Sequence, residues 1–325
     1  MTPSVSPNSS KPFHHTVVVI PLGPSEPVEH ILDTLDSIQR FLSPDTKVIL
    51  VDNSRKGTGN IVQQAFPDAD VIHGTRQGMF AHLFLNICQG TAHAYEHYCF
   101  RVLLRMDTDA LIIGELPDVE ASAVFEQRPD VGQLGVFKTD YHGRPMRWWP
   151  INLSMALQAL NPLSWIWPAW NGFAFRQLLV RAMRRGYPIG SHVYGGGFFL
   201  SYACVERLYR AGILTDERLD NLRLAEDHIT TVSVVSVGLD AADFASGDRP
   251  CAQAWRGLPA APDELLAKGK KVVHSVRFWG DMKEADVRAV FRRHRAPAVQ
   301  VNVDLPESAL APAPAEQLVY SEVVS

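Results

Sequence analysis

The chain predicts an α/β fold, a mostly parallel sheet flanked by helices on both faces. Three observations carry this. Short apolar runs alternate with helical patterns through the first half of the chain. The runs lack the in-out alternation of a half-solvated strand, as expected when both faces of a sheet are covered. Three acids, Asp52, Asp107 and Asp109, stand at the ends of such runs, where open α/β sheets bind their ligands.

Val17-Val18-Val19-Ile20-Pro21 is the first buried strand. Val28 to Phe41 carries apolar residues at Val28, Ile31, Leu32, Leu35 and Ile38, with Leu42 next in the pattern, which makes one helical face. Lys47 to Asp52 is a second strand ending in an acid, Gly59 to Phe66 a short helix and Asp70 to His73 a third strand. Gly78 to Tyr98 is a long helix, and Val102 to Met106 a fourth strand. This βαβαβαβ order predicts parallel pairing through right-handed crossovers. The second half is less regular. Gly132 to Lys138 reads as a strand, and Trp148 to Phe175 as an irregular, partly helical insertion rich in Trp and Pro. Phe198-Phe199-Leu200 follows three glycines, with a helix from about Ala203 to Ala211. A further helix runs through Leu224 to Gly238, a short strand through Lys271 to His274 and an amphipathic helix through Asp281 to His294. Residues 1–15 are expected to be a disordered leader and 301–325 a Pro/Ala-rich disordered tail, leaving 16–300 as a single domain. Within it, 16–115 form a nucleotide-binding half and 116–300 an acceptor-binding half.

Composition narrows the class. The 325 residues are 46% hydrophobic and 20% charged, which suits a globular core. A net charge of -4 with no long basic block argues against a nucleic-acid partner. The four cysteines form no Cys-x-x-Cys pair, so neither a zinc ribbon nor a disulfide frame is expected, and a reducing cytoplasm is the expected compartment. No window reaches the ~18 to 20 uninterrupted apolar residues that a bilayer span needs. The stretch Asn152 to Ile166 is amphipathic but not basic, which leaves contact with a membrane surface as a minor alternative.

Arg105-Met106-Asp107-Thr108-Asp109 is the strongest local signal. On a strand, Asp107 and Asp109 would share one face, and two like charges held together call for a cation between them. Mg²⁺ or Mn²⁺ fits, with free positions for a phosphate. Glu226-Asp227 opens a helix, where acids complement the helix dipole or serve as a general base. Gly195-Gly196-Gly197 permits a close backbone approach or is a plain turn. His274 is a structural residue or a metal ligand. Five tryptophans, Trp148, Trp149, Trp165, Trp167 and Trp170, form the core of the insertion or stack on a sugar.

In this order the motifs resemble the GT-A nucleotide-sugar glycosyltransferases, especially the family 2 type, over roughly Thr16 to Phe278. The resemblance implies a GT-A, Rossmann-like mixed sheet in which the Trp-rich insertion shapes the acceptor side. Pro21, Asp52, Asn53, Asp107, Gly196 and Gly197 would then contact the donor, with Asp52 on the uracil or ribose. Asn86, Gly90 and Ala94 resemble a family helix motif, with Cys88 in place of its first glycine. Asp107, Asp109 and His274 would form the metal site, Asp109 as the direct ligand. Asp227 would act as base and Glu226 would bind the acceptor hydroxyl, or the two would exchange roles. Lys270, Lys271 or Arg277 would hold a phosphate. The implied activity is Mn²⁺- or Mg²⁺-dependent transfer of one sugar, from a UDP-sugar, to a hydroxyl of a discrete acceptor with inversion. A retaining transferase, or an inactive nucleotide- or sugar-binding protein of the same fold, is the alternative. The Gln-x-x-Arg-Trp motif of processive synthases is absent, and no basic Gly-rich loop follows the first strand as in a nucleotidyltransferase.

Overall fold

The first apolar run forms a strand because both of its faces find a core. The computed structural model describes residues 11–295 apart from 25, 55–56, 75–80, 147–148, 161–168 and 220–221, with backbone alone at 81, 149–150, 160 and 169–171. Strand β1 (Phe13–Leu22) sends Val17 and Val19 into one hydrophobic cluster and Val18 and Ile20 into the other. Period-two side-chain alternation therefore appears in packing, although Val17 to Ile20 are all apolar. The strand starts at Phe13, inside the stretch assigned to a disordered leader, because residues 13–16 already pair with β4.

The chain continues as α1 (Val28–Phe41), β2 (Thr46–Asp52), α2 (Thr58–Ala65), β3 (Asp70–His73), α3 (Ala81–His97) and β4 (Cys99–Met106), the order expected from the sequence. Then follow β5 (Ala110–Ile112), α4 (Pro117–Gln127), β6 (Val131–Gly135), α5 (Trp149–Leu160), α6 (Ala169–Met183), β7 (Gly197–Ser201) and α7 (Tyr202–Arg210). The chain ends with α8 (Glu226–Ser236), β8 (Asp240–Asp243), β9 (Cys251–Gln253), α9 (Pro262–Ala267), β10 (Val272–His274), β11 (Phe278–Trp279), β12 (Met282–Lys283) and α10 (Glu284–His294).

Among the described residues the main sheet has the order β3-β2-β1-β4-β7-β6-β8. The first four strands are parallel, as expected. Strand β7 runs antiparallel to β4 and β6, which makes the sheet mixed. Helix α3 packs closely on it: a Cβ at Gly90 would stand 2.5 Å from Val19 and 2.8 Å from Val51. That contact explains the glycine within the helix better than any local propensity.

One expectation needs adjustment and two gain detail. The strand expected over Gly132 to Lys138 stops at Gly135, and Phe137 makes only an isolated bridge to Val193 while Lys138 turns into positive φ. The Trp148 to Phe175 segment contains two helices, α5 and α6. The side chains of its five tryptophans lie outside the described residues, as do 1–10 and the 301–325 tail. The late strand does not stand alone: β10 pairs antiparallel with β5 and parallel with β9 in a second, three-stranded sheet. All four cysteines are buried and none is disulfide-bonded. No described helix is long and apolar enough to cross a membrane.

Candidate active site

Asp107-Thr108-Asp109 does not lie on a strand. It forms the turn between β4 and β5, so strand alternation does not set the direction of its carboxylates. The turn is instead pinned from several sides. The Asp107 N–H donates to the Gly196 carbonyl at 2.9 Å, and the Val276 N–H donates to the Asp109 carbonyl at 2.9 Å. The Thr108 carbonyl accepts from the Thr34 hydroxyl at 2.7 Å and from Arg288 at 2.7 Å.

His274 reaches this turn through sheet register, because it pairs with Ala110 across the β10–β5 ladder. Its Nε2 stands 3.4 Å from Asp109 Oδ1 and 3.8 Å from Asp107 Oδ2. One ligand atom from each of the three residues lies within 4.8 Å of the others. Asp109 Oδ2 accepts from the Ser275 hydroxyl at 2.8 Å and pairs with Arg277 at 2.8 Å. Burial alone would raise the Asp109 pKa, but His274, Arg277 and Ser275 outweigh it and hold the carboxyl well below its ordinary range. The reverse holds for His274: burial lowers its pKa, and the two aspartates more than offset that. Two carboxylates with an imidazole make a mixed donor set of the kind that holds a divalent ion. A bound ion would require the neutral imidazole.

Arg105 links this trio to the acidic pair. The side chain is fully buried, with its Nη2 2.8 Å from Asp107 Oδ1 and 3.3 Å from Glu226 Oε1. Glu226 and Asp227 begin α8. Burial, resisted by Arg105 and reinforced by Asp227 and Asp107, pushes the Glu226 pKa up to about 7. Asp227 accepts main-chain N–H bonds from His228 at 2.8 Å and Gly195 at 3.3 Å. Two imidazoles flank it, His192 Nε2 at 3.9 Å and His228 Nδ1 at 3.7 Å. Burial pushes the His228 pKa down to about 4, against the pull of Asp227.

The triple glycine threads between the two acidic groups. A Cβ at Gly195 would stand 2.6 Å from Glu226 Oε1, and one at Gly196 2.3 Å from the His274 ring. The Gly197 carbonyl accepts from Gln253 at 2.6 Å. The close approach allowed by these glycines is thus to the protein's own site residues. Gly196 also has φ +87°. Gly196→Ala is expected to cost about 2 kcal/mol or more, from left-handed strain and the ring overlap together. Urea unfolding would measure it, and a variant as stable as the parent would show that the loop can retreat from His274.

Asp52 and Asn53 sit at the end of β2, on the same sheet edge as Pro21 and the Asp107 turn. Both Asp52 oxygens accept main-chain N–H groups, Oδ1 from Ser54 at 2.7 Å and Oδ2 from Gly59 at 2.8 Å, so the carboxylate shapes this loop and the start of α2. A Cβ at Gly74 would meet Asn53 Oδ1 at 1.9 Å, which shows how closely Asn53 is packed there. Of the three basic residues near His274, Lys270 is consumed by the carbonyls of Ala245, Gly247 and Arg249. Lys271 pairs with Glu120 and bonds the Glu115 carbonyl. Arg277 is the one of the three that reaches the trio, and its side chain is 65% exposed.

Three contributors escaped the sequence reading. Arg105 had a signal, a cation inside the apolar run Val102 to Met106. Glu26 had none: burial pushes its pKa up to about 7, Asp107 and Asp109 add to the rise, and Thr108 hydrogen-bonds it. Arg288 lies far away in sequence and read only as part of an amphipathic helix.

No protein-family model matches the chain, and neither does any curated protein sequence. Solved structures do. The mannosyltransferase PcManGT from Pyrobaculum calidifontis, in complex with GDP-Man and Mn²⁺, is 17% identical with a TM-score of 0.41, over 72% of this chain and 55% of that one. The galactosyltransferase LgtC, in complex with donor and acceptor sugar analogues, is 9% identical with a TM-score of 0.45, over 87% of this chain and 98% of that one. The bifunctional glycosyltransferase WbbM is 10% identical with a TM-score of 0.44, over 89% of this chain and 50% of that one. The chain therefore spans about half the length of PcManGT and WbbM.

Proposed function

We propose that this chain is a metal-dependent GT-A glycosyltransferase that moves one sugar from a nucleotide-diphospho-sugar, a UDP-sugar, to a hydroxyl of a discrete acceptor. The observation that carries this reading is the convergence of Asp107, Asp109 and His274 at the carboxyl edge of parallel strands, joined through buried Arg105 to the Glu226–Asp227 pair.

Asp107, Asp109 and His274 would hold Mn²⁺ or Mg²⁺, which when bound supplies positive charge for the diphosphate leaving group. Exposed Arg277 is placed to hold a phosphate oxygen. Pro21, Asp52 and Asn53 would border the nucleoside on the neighbouring strand ends, with Asp52 acting by ordering the loop. Gly196 and Gly197 would border the donor with backbone alone, their missing side chains making room for His274 and Gln253. Arg105 holds Glu226 and Asp107 at a fixed separation. The Glu226–Asp227 pair takes the acceptor proton, and the freed oxygen attacks the anomeric carbon opposite the diphosphate, which inverts the configuration.

A thermal-shift screen against UDP, GDP, TDP and CMP, each with and without Mn²⁺, tests the donor reading. Stabilisation by UDP only in Mn²⁺ is expected. No shift with any nucleotide would overturn it. Asp227→Asn is expected to keep donor binding and lower turnover by at least ~100-fold. Retained turnover would remove Asp227 from the reaction, with Glu226→Gln the next variant to assay.

A further inference from the structure

A second convergent donor set shares Asp227 with the acidic pair and adds two histidines that nothing described so far uses. His192 is almost fully buried. Its Nδ1 bonds the Gly190 carbonyl at 3.0 Å. A carbonyl only accepts, so Nδ1 carries the hydrogen, and in the neutral ring Nε2 is left with a lone pair. That Nε2 faces Asp227 Oδ2 at 3.9 Å, beyond hydrogen-bond reach. On the other side, His228 Nδ1 is buried without a hydrogen-bond partner and stands 3.7 Å from Asp227 Oδ1. The two rings meet edge to face, with centroids 4.2 Å apart. One donor atom from each of the three residues lies within 4.8 Å of the others.

Three candidate ligand atoms thus converge, and neither His–Asp approach is a hydrogen bond. The two His–Asp separations, 3.9 and 3.7 Å and each to a different carboxylate oxygen, are a few tenths of an ångström longer than the ~3.4 Å that separates ligands about 2.1 Å from one tetrahedral ion. The surrounding bonds are those that orient metal ligands: a carbonyl fixes the His192 tautomer, and the N–H groups of Gly195 and His228 hold the carboxylate. We propose that His192, Asp227 and His228 form a second divalent-ion site, separate from the Asp107–Asp109–His274 trio and selective for a borderline-soft ion such as Zn²⁺. Two imidazoles and one carboxylate favour Zn²⁺ over Mg²⁺ and leave a fourth position for water or a hydroxyl. With an ion bound, Asp227 is a ligand and Glu226 keeps the base's part. The site stands on its own geometry and does not depend on the sugar-transfer reading.

The test is metal counting on untagged full-length protein, stripped with EDTA, dialysed against Zn²⁺ and analysed for ions per chain. Co²⁺ absorption serves as a second readout. The parent should hold a Zn²⁺, beyond any taken by the Asp107–Asp109–His274 trio, that His228→Ala and His192→Gln each weaken by at least ~100-fold, while Asp109→Asn keeps it. Co²⁺ should give the intense visible bands of a tetrahedral imidazole site, lost in the two histidine variants. His228 lies at the start of α8 and is partly exposed, so His228→Ala keeps the test open if His192→Gln fails to fold. Zn²⁺ binding that both histidine variants leave unchanged, or no Zn²⁺ bound by the parent, would overturn the site. Failure of the nucleotide screen with these results intact would sink the transferase reading alone.

Discussion

Asp109→Asn is expected to weaken UDP binding in Mn²⁺ by at least ~100-fold, about 2.7 kcal/mol, while leaving the protein folded. Asp109 is the most constrained member of the trio, since one oxygen faces His274 and the other is held by Ser275 and Arg277. The amide keeps the shape and can still accept from Ser275. It loses the charge that a divalent ion requires, and its nitrogen turns a donor toward Arg277 or His274. Isothermal titration of UDP with and without Mn²⁺ separates the effects, because only the metal-dependent part should fall. Unchanged UDP affinity in Mn²⁺ would move the metal elsewhere. Arg277→Ala is the companion variant: it removes one exposed cation and should weaken nucleotide binding without abolishing its metal dependence.

The largest stability effect is expected behind the site rather than in it, at Asp33. This residue of α1 is 5% exposed and pairs with Arg288 at 2.8 Å, Arg292 at 2.7 Å and Arg295 at 2.8 Å. Arg288 is fully buried and also donates to the Thr108 carbonyl, so the network ties α1 and α10 to the Asp-x-Asp turn. Asp33→Asn strands buried guanidinium charge, and removing one partner of a buried pair costs about 3–5 kcal/mol. Urea denaturation at neutral pH should show that loss, and a change under 1 kcal/mol would mean that solvent reaches the network. Burial would raise the Asp33 pKa, but the three arginines hold it below its ordinary value. A group whose folded pKa is depressed stabilises the protein above its unfolded pKa, about 3.9, and loses that contribution as pH falls through the folded value. The parent should therefore lose stability in this window below pH 4, and Asp33→Asn should lack that part of the decline.

The first half of the fold was legible because each element is decided locally. Val17 to Ile20, Val48 to Val51 and Val102 to Leu104 are apolar on both faces and can only be covered strands, and the helices between them carry one apolar stripe each. Parallel order follows from the alternation. The acids Asp107, Asp109, Glu226 and Asp227, with His274, could be named as candidates because they stand at a strand end, at a helix start and on a late strand in the order the motifs require.

What the sequence by itself determined, then, is the layered α/β plan and the pool of reactive side chains. Their meeting was decided by tertiary structure. His274 reaches Asp109 through β10–β5 register across 165 residues of chain, the Asp107–Asp109 turn takes its shape from Thr34 and Arg288, and Arg105 is stationed between two acidic groups that no local pattern connects. The same holds for the histidines beside Asp227 and for the glycines at 195 and 196, whose need for small size arises from Glu226 and His274 rather than from their neighbours in sequence. Local periodicity records only which face is buried, whereas a site is defined by distances between residues that the chain brings together only when it closes.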